Sequence, residues 1–340
     1  MQKIMIAELA FFAGVIILGV ISLLYLRDIS TIRSNTIDFI YPPTLTLVST
    51  FAFNYPQPTL TPSPFPTYKS EHEVTPESIP TPTPHLLPEE GVPFSIGLSV
   101  NGRDLWVTRY GHGPVSRLIV GAIHGGYEWN TVDLINQLAI DIENGDIVIP
   151  PGITLYLLPN LNPDGYYDHF GQYVGRPNAN GVDLNRNWDS NWQPTWPLAG
   201  CFQRVPVHGG AYPFSEPETL TLANFLLDYK IDALISYHSQ MGAIFATGDN
   251  SLYPPADDLA STLASASGYQ YPPPDTGCVY TGQLVDWSVD QGIAAVTVEL
   301  YTHDGIDLDI NRKLMVAFLN WKRSYHPPAQ PGLPQAIRIE

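Results

Sequence analysis

The sequence predicts an α/β domain over residues 94–326, with a mainly parallel or mixed central β-sheet covered by helices on both faces. Two observations carry this. Four short, continuous apolar runs rich in β-branched residues read as strands buried on both sides: RLIVGAI (117–123), ITLYLL (153–158), DALISY (232–237) and AAVTVEL (294–300). Helical patterns lie between and after them: TVDLINQLAIDIEN (131–144), SEPETLTLANFLLDYK (215–230), PADDLASTLASAS (255–267) and DLDINRKLMVAFLNW (307–321). Strands alternating with helices point to crossover connections and a sheet with helices on both faces.

The elements follow from local chemistry. Gly145 stops the first helix, because glycine has no side chain to hold it there. Ser215 with Glu218 three residues on suggests a capping box for the second, and Pro217 is tolerated in its first turn. No internal repeat is visible.

The chain before residue 94 is different in kind. Leu9–Leu26 (LAFFAGVIILGVISLLYL) carries no charge over 18 residues, and a helix of that length rises about 27 Å, close to the hydrocarbon thickness of a bilayer. Residues 1–30 are therefore expected to form a transmembrane anchor with its flanks. A secreted protein would result if they were cleaved as a signal peptide. Lys3 before the span and Arg27 and Arg33 after it scarcely fix the orientation. Residues 31–93 follow as a Pro/Thr-rich stalk, with 13 prolines between Tyr41 and Pro93. Such a segment lacks donors and apolar side chains for a core, and stalks of this composition commonly stand outside cells. The folded domain is thus expected outside the cytoplasm, and residues 327–340 form a C-terminal tail. The net charge of −17 argues against nucleic acid as a partner. Cys201 and Cys278 are the two cysteines, and they could form one disulfide in an oxidising compartment.

Three groups capable of chemistry sit at predicted strand ends: His124, His238 and Glu299. Ligands collect beyond the carboxyl ends of strands in open α/β sheets, so these residues would meet at one edge if their strands are parallel. Around them run IHGGYE (123–128), LNPDGY (161–166), GVDLNRNWD (181–189), FSEPET (214–219), ISYHS (235–239), DWSVDQGI (286–293) and TVEL (297–300).

In this combination and order the domain resembles the zinc carboxypeptidases of the carboxypeptidase A type, the M14 metallopeptidase family. The resemblance implies one Zn2+ per chain, held by His124, Glu128 and His238, with a fourth position left open. It implies Glu299 as general base and Arg176 as the cation that supports the oxyanion. Asp183 would hold the first zinc histidine in orientation. Asn185 and Arg186 would grip the substrate's terminal carboxylate, for which a planar guanidinium is suited. Tyr280, with Tyr271 as a rival, would be the tyrosine that closes over substrate, and Val285 would line the specificity pocket.

One departure from the family pattern stands out. Three residues, Gly125, Gly126 and Tyr127, separate His124 from Glu128, where the family has two. A glycine with backbone angles closed to other residues would let the longer turn still present Glu128 at the start of the following helix. The expected activity is removal of C-terminal residues from peptides. The same site could instead act on peptidoglycan stem peptides, at D-amino-acid or γ-glutamyl linkages. A domain that binds peptide carboxylates without turnover is the non-enzymatic alternative. Oligomeric state is not legible.

Overall fold

The computed structural model describes residues 87–168, 175–196, 207–246 and 253–324. The apolar run 9–26, most of the stalk, Cys201 and the C-terminal tail lie outside the described residues. Among the described residues no helix is long and apolar enough to cross a membrane.

In chain order the strands are β1 (Phe94–Leu98), β2 (Asp104–Gly111), β3 (Val115–Val120), β4 (Ile153–Leu158), β5 (Thr195–Trp196), β6 (Val207–His208), β7 (Ile231–Ser239), β8 (Ile244–Phe245) and β9 (Ala294–Leu300). The helices are α1 (Asn130–Glu143), α2 (Pro163–Asp168), α3 (Pro217–Asp228), α4 (Pro254–Ser267), α5 (Leu284–Asp290) and α6 (Leu308–Asn320). Seven strands form one sheet in the order β1-β2-β4-β3-β7-β9-β8, and β5 pairs with β6 separately. The four central strands β4, β3, β7 and β9 run parallel, while β1, β2 and β8 add antiparallel edges. The sheet is therefore mixed.

The parallel centre follows from composition. All six residues of β4 are buried, as are eight of the nine in β7, so neither strand has a solvated face. Period-two alternation divides their side chains between two cores. Ala233, Ile235 and Tyr237 of β7 join Ala294, Val296 and Val298 of β9 under α1, α4 and α6. Leu234 and Ala295 face the other way, toward Leu222 and Phe225 of α3 and Trp287 of α5. Each large apolar side chain so buried contributes about 1.5–3 kcal/mol relative to exposure.

Some expectations need correction. The first strand ends at Val120, three residues short of the predicted Ile123, because the chain turns through Ala122 at φ +46°. Ser215 forms no capping box: Glu216 is the N-cap and its side chain makes no cap bond. Ser215 Oγ instead donates to Glu216 at 2.7 Å, and Glu218 accepts from the Val100 amide at 3.1 Å. The folded part also starts before Phe94. Gly91 N donates to Arg109 O at 2.9 Å, and the Glu90 carboxylate accepts from Gly111 N at 2.9 Å, so the last stalk residues stitch onto β2.

Candidate active site

Sheet register places the first pair. In β7 and β9, His238 and Glu299 are direct parallel partners at the carboxyl ends. Alternation puts both on the face opposite Tyr237 and Val298. Neighbouring strands lie about 4.8 Å apart, so an imidazole and a carboxylate are held side by side by backbone pairing alone.

The third element is the turn after β3. His124 is the N-cap of a 3-10 turn, Gly125–Glu128, and α1 begins two residues later at Asn130. Glu128 therefore closes a tight turn and does not open α1, contrary to expectation. The glycine argument holds at Gly125, which has φ +49°. A Cβ there would also sit 2.5 Å from the Gly175 carbonyl oxygen and 2.9 Å from Gly165 Cα. The tighter coil brings residues four apart together: His124 Nδ1 is 2.8 Å from Glu128 Oε1.

These three side chains converge, each at most 3 % exposed. His238 Nδ1 lies 3.2 Å from His124 Nδ1 and 3.1 Å from Glu128 Oε2. Their ligand atoms lie within 4.8 Å of one another. The outer nitrogens face other partners: His124 Nε2 lies 3.3 Å from Asp183 Oδ1, and His238 Nε2 lies 3.1 Å from Ser236 Oγ. With a proton on each outer nitrogen, both Nδ1 lone pairs and the Glu128 carboxylate converge on one point, an arrangement that suits a bound metal cation. Glu128 Oε2, fully buried, makes no hydrogen bond of its own. Two imidazole nitrogens and one carboxylate are the donor set of a catalytic zinc site. Burial alone would raise the Glu128 pKa, but the His124 and His238 rings hold it well below the carboxylate range. For His238, burial pulls the pKa down, but Glu128 and Glu299 together raise it above the usual imidazole value.

The GVDLNRNW segment forms the adjacent wall. Asp183 caps a short 3-10 turn, Leu184–Arg186, by accepting from Asn185 N at 2.9 Å. Asn187 locks this loop to FSEPET, donating to Gly209 O at 2.7 Å and accepting from Thr219 Oγ1 at 2.6 Å. Arg176 Nε donates to Asp183 Oδ2 at 2.9 Å, and its Nη1 reaches His124 Nδ1 at 3.2 Å and Glu128 Oε1 at 3.9 Å. Although burial raises the Asp183 pKa, Arg176 and His124 beside it keep the carboxyl well below its usual range.

Arg186 is 4 % exposed and forms no ion pair among the described residues. Its Nη1 donates to Asn185 O at 2.6 Å, its guanidinium stacks over Tyr280 (4.8 Å) and Trp196 (5.4 Å), and its Nε has no hydrogen-bond partner. Burial lowers its pKa, partly offset by Asp183. Asn185 Oδ1 accepts from Leu284 N at 3.0 Å, which fixes the amide and leaves its Nδ2 as a donor.

His124, Glu128, Arg176, Asn185, Arg186, His238, Tyr280, Val285 and Glu299 all line one cavity of about 1280 Å3. Tyr271 lines it too, but its hydroxyl donates to Asp257, so Tyr280 is the tyrosine stacked on Arg186. Val285 on α5 is buried. Burial pushes Glu299 up to about 7, with His238 opposing. His303, which no motif marks, shares the same cavity. Cys278 on its wall is disulfide-bonded.

The comparisons agree with this geometry. Residues 92–309 match the family model described as zinc carboxypeptidase. The chain is 30% identical over 210 residues to zinc carboxypeptidase A 1 of Anopheles gambiae, covering 53% of this chain and 47% of that protein. It is 28% identical over 185 residues to carboxypeptidase B of Astacus astacus, covering 48% of this chain and 57% of that one. The chain thus spans about half the length of the curated relatives it matches. The structure of bovine thrombin-activatable fibrinolysis inhibitor, solved with a tick carboxypeptidase inhibitor, shares the fold at TM-score 0.53 and 22% identity, over 67% of this chain and 86% of that chain. With the family match extending over most of the folded domain and a zinc-competent trio at its centre, the chain belongs to the zinc carboxypeptidases, M14 metallopeptidases of the carboxypeptidase A type.

Proposed function

We propose that this chain removes C-terminal residues from peptides as a zinc-dependent carboxypeptidase. The observation that carries the reading is Arg186, a buried guanidinium without an ion pair among the described residues, opening onto the cavity that holds His124, Glu128, His238 and Glu299. A desolvated cation with a free N–H beside a metal centre suits a substrate carboxylate, and it limits reaction to terminal bonds. Zinc held by His124, Glu128 and His238 supplies Lewis acidity toward a carbonyl and lowers the pKa of water.

The protein's own groups do the rest. Glu299, with a pKa of about 7, takes a proton from the attacking water and passes it to the departing amine. Arg176 lies against the ligand trio, so its N–H groups face the carbonyl oxygen as negative charge develops. Asp183 keeps the His124 ring oriented. Tyr280 covers the carboxylate held by Arg186, and Val285 presents an apolar surface to the terminal side chain.

The same reading places the domain outside the cytoplasm on a membrane anchor at residues 9–26. The uncharged run, the proline-rich stalk and a disulfide at Cys278 support it.

The test compares peptides with free and amidated C-termini. Free peptides should be cleaved and amidated ones should not, and Arg186→Gln should abolish the distinction. Removing one partner of a buried, hydrogen-bonded charge pair costs about 2–5 kcal/mol, so kcat/KM for free peptides should fall about 30- to 3000-fold. Equal wild-type rates on both peptides would contradict the reading. Stem peptides of peptidoglycan, assayed beside L-peptides, separate the two substrate classes.

A further inference from the structure

We infer that His303 is a substrate-binding residue whose Nε2 accepts a hydrogen bond from the backbone N–H of the residue on the amino side of the scissile bond. The inference begins with Asn130. Its Nδ2 donates to two backbone carbonyls, Thr302 O and Gly305 O, each at 2.7 Å. A flipped amide would set Oδ1 against two acceptors, so the orientation is fixed. Asn130 Oδ1 therefore faces Ser239 Oγ at 3.1 Å and must accept its proton. Ser239 has one proton to give, so the 2.8 Å contact between Ser239 Oγ and His303 Nδ1 requires the proton on Nδ1.

The neutral ring is thereby left with a bare lone pair on Nε2. That atom makes no hydrogen bond among the described residues. The half-buried ring packs on Tyr127 at 4.5 Å between centroids and lines the same cavity as the ligand trio. Burial also lowers its pKa, which keeps the imidazole neutral.

Position gives the direction. Contacts run from Arg186, through the turn that Asp183 caps and Arg176, to the trio. Beyond the trio they continue to Tyr127, next to Glu128, and Ser239, next to His238, and so to His303. In this succession of contacts the trio comes between Arg186 and His303. If Arg186 holds the terminal carboxylate, as the carboxypeptidase reading requires, His303 meets the peptide on the amino side of the cleaved bond.

The experiment uses the full chain, loaded with zinc, and two acetylated dipeptides that differ in N-methylation of the penultimate residue. Wild type should favour the N–H peptide by about tenfold in kcat/KM, the usual effect of leaving one buried acceptor unpaired. His303→Phe, which keeps the ring on Tyr127, should erase that preference by slowing the N–H peptide alone. Equal slowing of both peptides, or none, would overturn the inference. If neither peptide is hydrolysed, the carboxypeptidase reading fails. The His303 assignment is then decided by its ring 15N spectrum. It requires a protonated Nδ1 in the free protein and an Nε2 shift induced by the N–H peptide but not its N-methyl analogue. A proton on Nε2, or no such shift, would overturn it.

Discussion

Gly125→Ala should strain the His124–Glu128 turn and loosen the metal site. The added Cβ would lie 2.5 Å from the Gly175 carbonyl oxygen and 2.9 Å from Gly165 Cα. Favourable contacts are about 3.5–4.0 Å, so backbone must shift by about 1 Å. The left-handed conformation adds about 1–2 kcal/mol for alanine, and overpacking about 1–3 kcal/mol. The total is about 2–5 kcal/mol. Gly145→Ala is the internal control, because it has φ +80° with nothing within 4 Å of its added Cβ and incurs only the backbone cost. Denaturant unfolding of the metal-free proteins reads the share borne by the fold, and competition with a chelator reads the share borne by zinc affinity. If the turn opens to relieve the clash, zinc binding weakens by about 30- to 3000-fold. If the turn holds, Gly125→Ala unfolds more readily than Gly145→Ala. A Gly125→Ala protein matching Gly145→Ala in both measurements would refute the close-packed turn.

Two further outcomes follow from the same structure. Glu299→Gln should retain zinc while losing about 10²–10⁴-fold in turnover, measured by single-turnover hydrolysis beside metal analysis; near-normal turnover would remove Glu299 as the base. Asp141 on α1 is held by Arg312 of α6 through two bonds of 2.8 and 2.9 Å, and the Arg312 hydrogen bond depresses its pKa. A depressed carboxylate adds stability that is present above its unfolded pKa of about 3.9 and is lost as pH falls through the folded value. Asp141→Asn should therefore flatten the acid side of a melting-temperature profile, and an unchanged profile would discount the α1–α6 tie.

What could be read from the sequence was what periodicity and short motifs carry. ITLYLL and AAVTVEL coincide with β4 and β9 because strands buried on both faces need unbroken apolar runs. Once β7 and β9 pair in parallel, their register sets His238 beside Glu299, and alternation puts both on one face. Strands β1 and β2 were not legible, since FSIGL has no fully buried position and DLWVTRYG mixes exposed and buried positions and carries Asp104 and Arg109. The exit of β3 at Ala122 depends on a single positive φ, which the apolar run to Ile123 conceals. Ser215 and Glu218 have the spacing of a capping box, yet tertiary partners, Asn187 for Ser215 and Val100 for Glu218, claim both side chains. His303 has no motif at all. Its place comes from hydrogen bonds to Ser239 and through it Asn130, residues distant in sequence.

Zinc content tests the central claim most directly. Purified full-length protein, dialysed against metal-free buffer, should retain about one zinc per chain, and Glu128→Gln should retain little. That result would show that a turn one residue longer than the family's still delivers Glu128 to the metal. No retained zinc in the wild type, or equal retention in Glu128→Gln, would contradict the three-ligand site on which the account stands.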